Sequence, residues 1–389
     1  MKKTPLLFSL FILALFLSSC RFFKSEDQPV NESSMNQSQV TSNSKESSSS
    51  TEMNSSSSVK SSLSSEALDE TITENELADF FPETANKQYV YVGEGNEYAS
   101  YEVFTDYESK NRKQTRTNNG GTESVKVMAL EENQLVVLIN RGEIYTRENW
   151  LQQPLPENNE EQEVLIKAPL KVGTSWNAIG DRKKSITAIN VPIMTPVGMF
   201  ETIEITTQGA DDKEVNYYAP DIGLIKSIFS SDVYNVTSTL SEINEVPLIQ
   251  TIRFYYPESD GVTMSFVDKK VAFKTNDRTR KKIEEAFKEI PNDKVGEVLP
   301  KNTEILSLYL NKDGNVYADF SKELISEMNA GAAFETVRIQ SIVNTIGGYY
   351  YSNSVYLTVE GKPYSSGHIE MKKGEPFIVD TTNSHELQK

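Results

Sequence analysis

Cysteine and histidine are almost absent from this 389-residue sequence, which has one cysteine, Cys20, and two histidines, His368 and His385. A lone cysteine has no disulfide partner within the chain, so a disulfide framework is excluded. Two histidines cannot supply a His-rich metal site. The pair His368 and Glu370, at alternate positions, could hold a metal only weakly. No P-loop, no GxSxG and no GxGxxG after a strand is present, so we predict no cofactor and no catalytic residue.

Long apolar runs are also scarce, and one stands out at residues 6–17, behind the basic pair Lys2 and Lys3. Twelve residues are too few to span the ~30 Å of hydrocarbon in a bilayer, so the run predicts a signal peptide over residues 1–19. The following residues, Leu-Ser-Ser-Cys20, resemble the bacterial lipobox. The resemblance implies lipid attachment at Cys20 and a protein anchored on the extracytoplasmic face of the cell membrane. The alternative is that Cys20 simply ends the signal sequence.

Residues 20–75 are rich in Ser, Asn, Gln and Glu and contain serine runs at 47–50 and 55–58. A segment with so little apolar content cannot bury enough surface to offset the entropy of ordering it. We therefore expect a disordered Ser-rich tether between the anchor and the folded part of the chain.

The remaining chain divides into two parts that differ in net charge. Residues 66–246 carry 31 acidic and 15 basic side chains, whereas residues 247–389 carry 20 and 18. Almost the whole net charge of −17 therefore belongs to the first part. Such an acidic surface repels nucleic acid, so no nucleic-acid partner is expected.

Hydrophobic alternation with a period of two and frequent turn signals predict an all-β domain over residues 80–246. Val125, Val127 and Ala129 alternate with polar residues, and the pattern resumes at Leu135 after the turn at Glu132 and Asn133. Short antiparallel strands of this kind are typical of a sandwich or a half-barrel.

Residues 248–376 are predicted to form a second, α+β domain. An alternating strand and its hairpin precede a helix that ends at Pro291, and two further strands flank the turn at Gly314. A longer helix is expected to end at Gly347 and Gly348, before a last strand. Residues 377–389 are expected to be a flexible tail.

This order of elements resembles the GerMN family, the sporulation and spore germination domain of bacterial envelope proteins. The resembling segments are 252–257, 298–306, 316–321, 342–346 and 355–362. The resemblance implies an envelope domain without established catalysis and supplies no functional residues.

Three consecutive tyrosines, Tyr349 to Tyr351, lie before the last strand. Extending the register of that strand backwards predicts that Tyr350 faces solvent together with Tyr356, an aromatic surface for sugar rings or a partner. Ordinary strand packing is the alternative. A basic cluster at the start of the first helix could add to this surface: Arg278, Arg280, Lys281 and Lys282.

The leading hypothesis is therefore a non-enzymatic, lipid-anchored protein that binds peptidoglycan or other envelope proteins, in cell-wall or sporulation and germination processes. Two rivals stay open: a lipoprotein whose middle domain carries a lipid or other small ligand, and a wall hydrolase that uses a pair of carboxylates.

Overall fold

The computed structural model describes residues 74–151 and 162–388. The predicted signal peptide, Cys20 and nearly all of the predicted tether lie outside the described residues. Among the described residues, no helix has the length and apolar character needed to cross a membrane.

The first part of the described chain begins with a 3₁₀ helix, Glu74–Phe80, and continues as one antiparallel sheet of twelve strands. The strands lie in the order β6-β5-β4-β3-β2-β1-β12-β11-β10-β9-β8-β7. Their bounds are β1 Lys87–Glu94, β2 Tyr101–Glu108, β3 Arg112–Asn118, β4 Glu123–Leu130, β5 Gln134–Gly142, β6 Glu163–Lys167, β7 Ser175–Ala178, β8 Arg182–Thr195, β9 Gly198–Gln208, β10 Asp212–Ala219, β11 Gly223–Ser231 and β12 Asn235–Glu245.

The two ends of this sheet come together. Trp176 on β7 donates its indole N–H to the carbonyl of Val164 on β6, with a distance of 3.0 Å. The ammonium of Lys184 on β8 pairs with Glu163 on β6. The sheet is thus strongly curved and nearly closed. The prediction of an antiparallel β structure is confirmed, and the arrangement is one curved sheet rather than a sandwich of two.

Residues 248–388, as the structure describes them, contain three helices and eight strands. They are β13 Leu248–Pro257, β14 Met264–Phe273, α1 Thr279–Lys288, β15 Ile305–Leu310, β16 Val316–Phe320, α2 Glu323–Ser326, α3 Ala332–Tyr349, β17 Ser354–Val359, β18 Lys362–Pro363, β19 Phe377–Ile378 and β20 Ser384–Glu386. One sheet has the order β13-β14-β20, and the other has the order β15-β16-β17-β18, with β19 paired to β17.

The helices and both of these sheets share one core. Its largest fully buried side chains include Phe254, Phe273, Phe287 and Phe320. The mixed α+β character and the order of the main elements agree with the sequence prediction. Residues 377–388, for which we expected a flexible tail, contain β19 and β20. All described residues fall within one compact unit, 67–389.

Helix α3 differs from the sequence prediction in its length. It continues through Gly347 and Gly348 and ends at Tyr349. The reason for a glycine at 347 is close packing, because a Cβ there would lie 2.4 Å from a methyl carbon of Val379 and 2.9 Å from the carbonyl oxygen of Ser352. Because Gly347 has no side chain, the segments that carry Val379 and Ser352 can pack against the helix, and the glycine does not terminate it.

Candidate binding surfaces

The three consecutive tyrosines end a helix, and their side chains take three different directions. Tyr350 is 3% exposed and packs in the core, whereas Tyr351 is 79% exposed and has a φ of +54°. The inference that Tyr350 faces solvent is therefore wrong. It assumed the two-residue period of a strand, but successive side chains on a helix are rotated by about 100°.

Tyr349 joins the two parts of the chain. Its hydroxyl accepts a hydrogen bond from the backbone N–H of Arg147, at 2.9 Å, and donates one to the side-chain oxygen of Gln250, at 3.0 Å. Burial raises the pKa of Tyr349 above its ordinary range, so this hydroxyl stays protonated at neutral pH.

Arg147 lies at the centre of the same junction, with a fully buried side chain. Its guanidinium donates to the carbonyl of Lys274 at 2.9 Å and to the carbonyl of Asp106 at 2.5 Å, and its Nε lies 3.3 Å from the Asp106 carboxylate. Further bonds cross the junction between Asn276 and Glu108. Tyr349 and Arg147 thus form a buried polar contact between the twelve-stranded sheet and the α+β part.

Three of the four basic side chains at the start of α1 bind other groups within the fold. The guanidinium of Arg280 binds the carbonyl of Ile305, Lys281 pairs with Glu284 at 3.1 Å, and Lys282 pairs with Glu285 at 2.8 Å. Within the described part of the chain, Arg278 is the member of the cluster that makes no side-chain bond, and it is exposed. Three of the four cations are thus bound within the fold, and a contribution of the cluster to a binding surface stays a prediction.

A partly exposed aromatic surface lies on the outer face of β15, β16 and β17. Tyr309 is the register partner of Tyr317, and Tyr317 is the register partner of Tyr356. The rings of Tyr309 and Tyr317 stack with centroids 5.6 Å apart and an interplanar angle of 10°. The rings of Tyr317 and Tyr356 stack with centroids 4.7 Å apart and an angle of 22°. We call these three residues the tyrosine ladder. Tyr356 was predicted to face outward, whereas Tyr309 and Tyr317 were missed.

Polar groups surround the tyrosine ladder. The hydroxyl of Tyr317 donates to the Asp313 carboxylate at 3.0 Å, and this bond raises the pKa of Tyr317. Asp319 accepts hydrogen bonds from Thr358 at 2.6 Å and from the backbone of Gly361. The ladder also has an exposed edge, because Tyr309 is 44% exposed. The surface combines aromatic area with hydrogen-bonding groups, the composition that is typical of recognition sites.

His368 forms a separate polar cluster next to a cavity of about 370 Å³ at the start of α3. Its Nδ1 lies 2.7 Å from Glu335, whose other carboxylate oxygen accepts a 2.7 Å bond from the hydroxyl of Tyr364. Burial raises the pKa of Glu335, but hydrogen bonds from Ser366, His368 and Tyr364 outweigh it and lower the pKa. His368 therefore pairs with Glu335 and not with Glu370, and the described residues contain no group of three or more potential metal ligands.

Comparison with known proteins finds a family model that matches the part of the chain containing the tyrosine ladder. Residues 253–365 match the family model Germane, which is described as sporulation and spore germination. The chain contains a GerMN domain. All three ladder residues lie within the matched range, as do Tyr350 and Glu335. His368 lies just beyond it.

The solved structures that are similar to this chain include two from Bacillus subtilis. The tandem GerMN domains of the sporulation protein GerM match with 21% identity over 34% of this chain and 46% of that chain, with a TM-score of 0.26. The first GerMN domain of the same protein matches with 21% identity over 34% of this chain and 96% of that chain, with a TM-score of 0.23. This chain therefore spans about half the length of the tandem structure. No curated protein matches the sequence.

Proposed function

We propose that the protein is a lipid-anchored, extracytoplasmic envelope protein whose GerMN domain binds wall polymer or another envelope protein through the tyrosine ladder, without catalysis, in a process related to sporulation or germination. The family description supports the process, and the Leu-Ser-Ser-Cys20 sequence supports the anchor.

The observation that carries the proposal is the stack of Tyr309, Tyr317 and Tyr356 on an outer sheet face. Each tyrosine offers a large rigid surface and a hydroxyl, so ordering it on binding costs little side-chain entropy. Residues 247–389 are also close to neutral, with 20 acidic and 18 basic side chains, whereas residues 66–246 carry 31 and 15. A polyanionic wall is therefore repelled less by the GerMN domain than by the twelve-stranded sheet.

The test is co-sedimentation of the whole purified chain with isolated peptidoglycan, alongside capture of envelope proteins by chemical cross-linking. The double variant Tyr309→Ser and Tyr356→Ser leaves the core intact because both side chains lie on the outer face. We expect its binding to be weakened about tenfold or more, which corresponds to ~1.4 kcal/mol.

The matched control is the double variant Tyr98→Ser and Tyr234→Ser, which removes two tyrosines that are 50% and 52% exposed in the twelve-stranded region. It should bind like the wild type. Equal binding by the ladder variant, or loss of binding in the control variant only, would contradict the proposal. Retention of a Cys20→Ala variant on washed membranes would contradict the anchor alone.

A further inference from the structure

The concave side of the twelve-stranded sheet encloses a cavity of about 430 Å³. This volume lies in the range of small-molecule sites in proteins. Part of the lining is apolar and comes from the chain before β1 and from strands on both sides of the closure: Phe80, Phe81, Leu135, Val137, Leu165 and Leu224. An apolar wall of this kind favours a ligand with an apolar body.

Two of the three lysines that line the cavity are already paired. Lys113 lies 3.2 Å from Glu108 and also donates to the carbonyl of Pro82, and burial lowers its pKa although Glu108 opposes this. Lys184 pairs with Glu163. These charges are compensated within the fold and hold the sheet together.

Lys126 is different. It lines the cavity from β4, is half-buried, and forms neither an ion pair nor a side-chain hydrogen bond within residues 74–151 and 162–388. Its uncompensated ammonium lies in a region where acidic side chains outnumber basic ones by 31 to 15. Glu214, which accepts a bond from Asn216, is the lining carboxylate without a cation partner among the same residues.

Three phenol groups add further donors. Tyr89, Tyr101 and Tyr218 line the cavity, and their hydroxyls make no hydrogen bond to other described residues. Burial, assisted by Glu108, raises the pKa of Tyr89 to about 12, and burial, assisted by Glu214, raises the pKa of Tyr101 and Tyr218 further. All three therefore keep their protons at neutral pH and can donate to acceptor oxygens of a ligand.

We propose that this cavity binds a small amphipathic molecule with an acidic headgroup, a carboxylate or a phosphate. Its apolar body packs against the phenylalanine and leucine side chains, and its headgroup pairs with the ammonium of Lys126. The uncompensated ammonium of Lys126 selects an anionic headgroup rather than a cationic one. The site is independent of the tyrosine ladder, which lies in the GerMN domain.

The experiment uses three probes with the same twelve-carbon chain: dodecanoate, dodecyl phosphate and dodecyltrimethylammonium. Each is titrated below its micelle concentration into the whole purified chain, with heat of binding as the readout. We expect at least one of the two anions to bind about tenfold or more tightly than the ammonium probe. The comparison of dodecanoate with dodecyl phosphate identifies which acid the site prefers.

Variants then locate the binding. Lys126→Gln should weaken anion binding about fivefold or more, and Lys126→Glu should reverse the preference towards the ammonium probe. Lys110→Gln, an exposed lysine outside the cavity, is the matched control and should bind like the wild type. Thr117→Trp places a large side chain in the cavity and should abolish binding of all three probes. If this variant does not fold, as judged by its thermal transition, Met128→Trp replaces it.

Equal affinity of the wild type for anionic and cationic probes, or an absence of binding by all three, would overturn the proposal. So would an equal loss in Lys110→Gln and Lys126→Gln, or unchanged binding in the folded tryptophan variant. None of these outcomes bears on binding by the tyrosine ladder.

Discussion

The two parts of the molecule use tyrosine in opposite ways. The twelve-stranded sheet turns Tyr89, Tyr101 and Tyr218 inward around a cavity, whereas the GerMN domain stacks Tyr309 and Tyr356 with a third ring on an outer face. The first arrangement suits a small ligand that is enclosed, and the second suits a large partner that lies on the surface. The lesson is that strand curvature and register, more than tyrosine content, decide which kind of recognition a sheet can perform.

Charge separates the same two parts. The curved sheet and its flanks have about twice as many acidic as basic side chains, 31 against 15, and the GerMN part is nearly balanced, 20 against 18. An acidic region next to a wall remains hydrated and repels polyanions. Our proposal therefore places surface binding in the GerMN domain, and the variants below test whether the two parts are as distinct in stability as they are in charge.

The largest effect is expected from Arg147→Ala at the junction between the two parts. This change removes the donor that the carbonyls of Asp106, Lys274 and Asp277 share, whereas the buried Asp106 carboxylate keeps its ion pair with Arg116. Each buried carbonyl that is left without a donor costs about 1–3 kcal/mol of unfolding free energy. Thermal unfolding should change from one transition to two, because the parts no longer support each other.

The matched control is Arg182→Ala, whose ion pair with Asp212 is partly exposed and should contribute only ~0–1 kcal/mol. Two transitions already present in the wild type, or no destabilisation in Arg147→Ala, would show that the junction does not couple the two parts.

The next largest effect is expected from a comparison of two neighbouring residues in the tyrosine triplet, Tyr350 and Tyr351. Tyr350→Ala removes a side chain that is 3% exposed and should destabilise the GerMN domain by about 3–5 kcal/mol, the usual cost of deleting a buried aromatic ring. Tyr351→Ala removes a side chain that is 79% exposed and should change the unfolding free energy by less than ~0.5 kcal/mol. Chemical denaturation measures both, and similar effects of the two variants would contradict the helical end described for the triplet.

The smallest effect depends on pH. Hydrogen bonds to Glu335 hold its pKa below the unfolded value of about 4.3, against the opposing effect of burial. A carboxyl with a lowered pKa stabilises the fold above the unfolded pKa, and this contribution is lost as the pH falls through the folded pKa. Glu335→Gln should therefore be less stable than the wild type at pH 7, with a difference that shrinks below about pH 4.3.

Glu370→Gln, which alters an exposed carboxyl two residues from His368, is the control and should show no such dependence. A constant difference between Glu335→Gln and the wild type from pH 7 to pH 3 would rule out the lowered pKa as its source.

The sequence was most informative where a local pattern decides the structure. Alternation at Val125, Val127 and Ala129 correctly indicated a strand, and the order of elements after residue 248 indicated the α+β part. The closure of the curved sheet depends on contacts such as Trp176 to Val164 between strands that are not hydrogen-bonded neighbours in the sheet, and no local pattern encodes it.

The candidate sites were harder to predict because they depend on register. Tyr356 was correctly placed on the outer face by alternation in β17, but its partners Tyr309 and Tyr317 become neighbours only through strand pairing. Tyr350 was misplaced because the helix continues through Gly347, where close packing required a glycine. Arg147 lies in a loop without periodicity, so its burial left no signal in the sequence.

The most direct test of surface binding by the GerMN domain is tyrosine nitration, read residue by residue by mass spectrometry, in the whole chain with and without isolated envelope material. Binding through the tyrosine ladder should protect Tyr309 and Tyr356 from nitration. The exposed Tyr98 and Tyr234 of the twelve-stranded region should react equally in both samples. Protection of Tyr98 and Tyr234 with unchanged reactivity of Tyr309 would contradict the account and move surface binding to the twelve-stranded region.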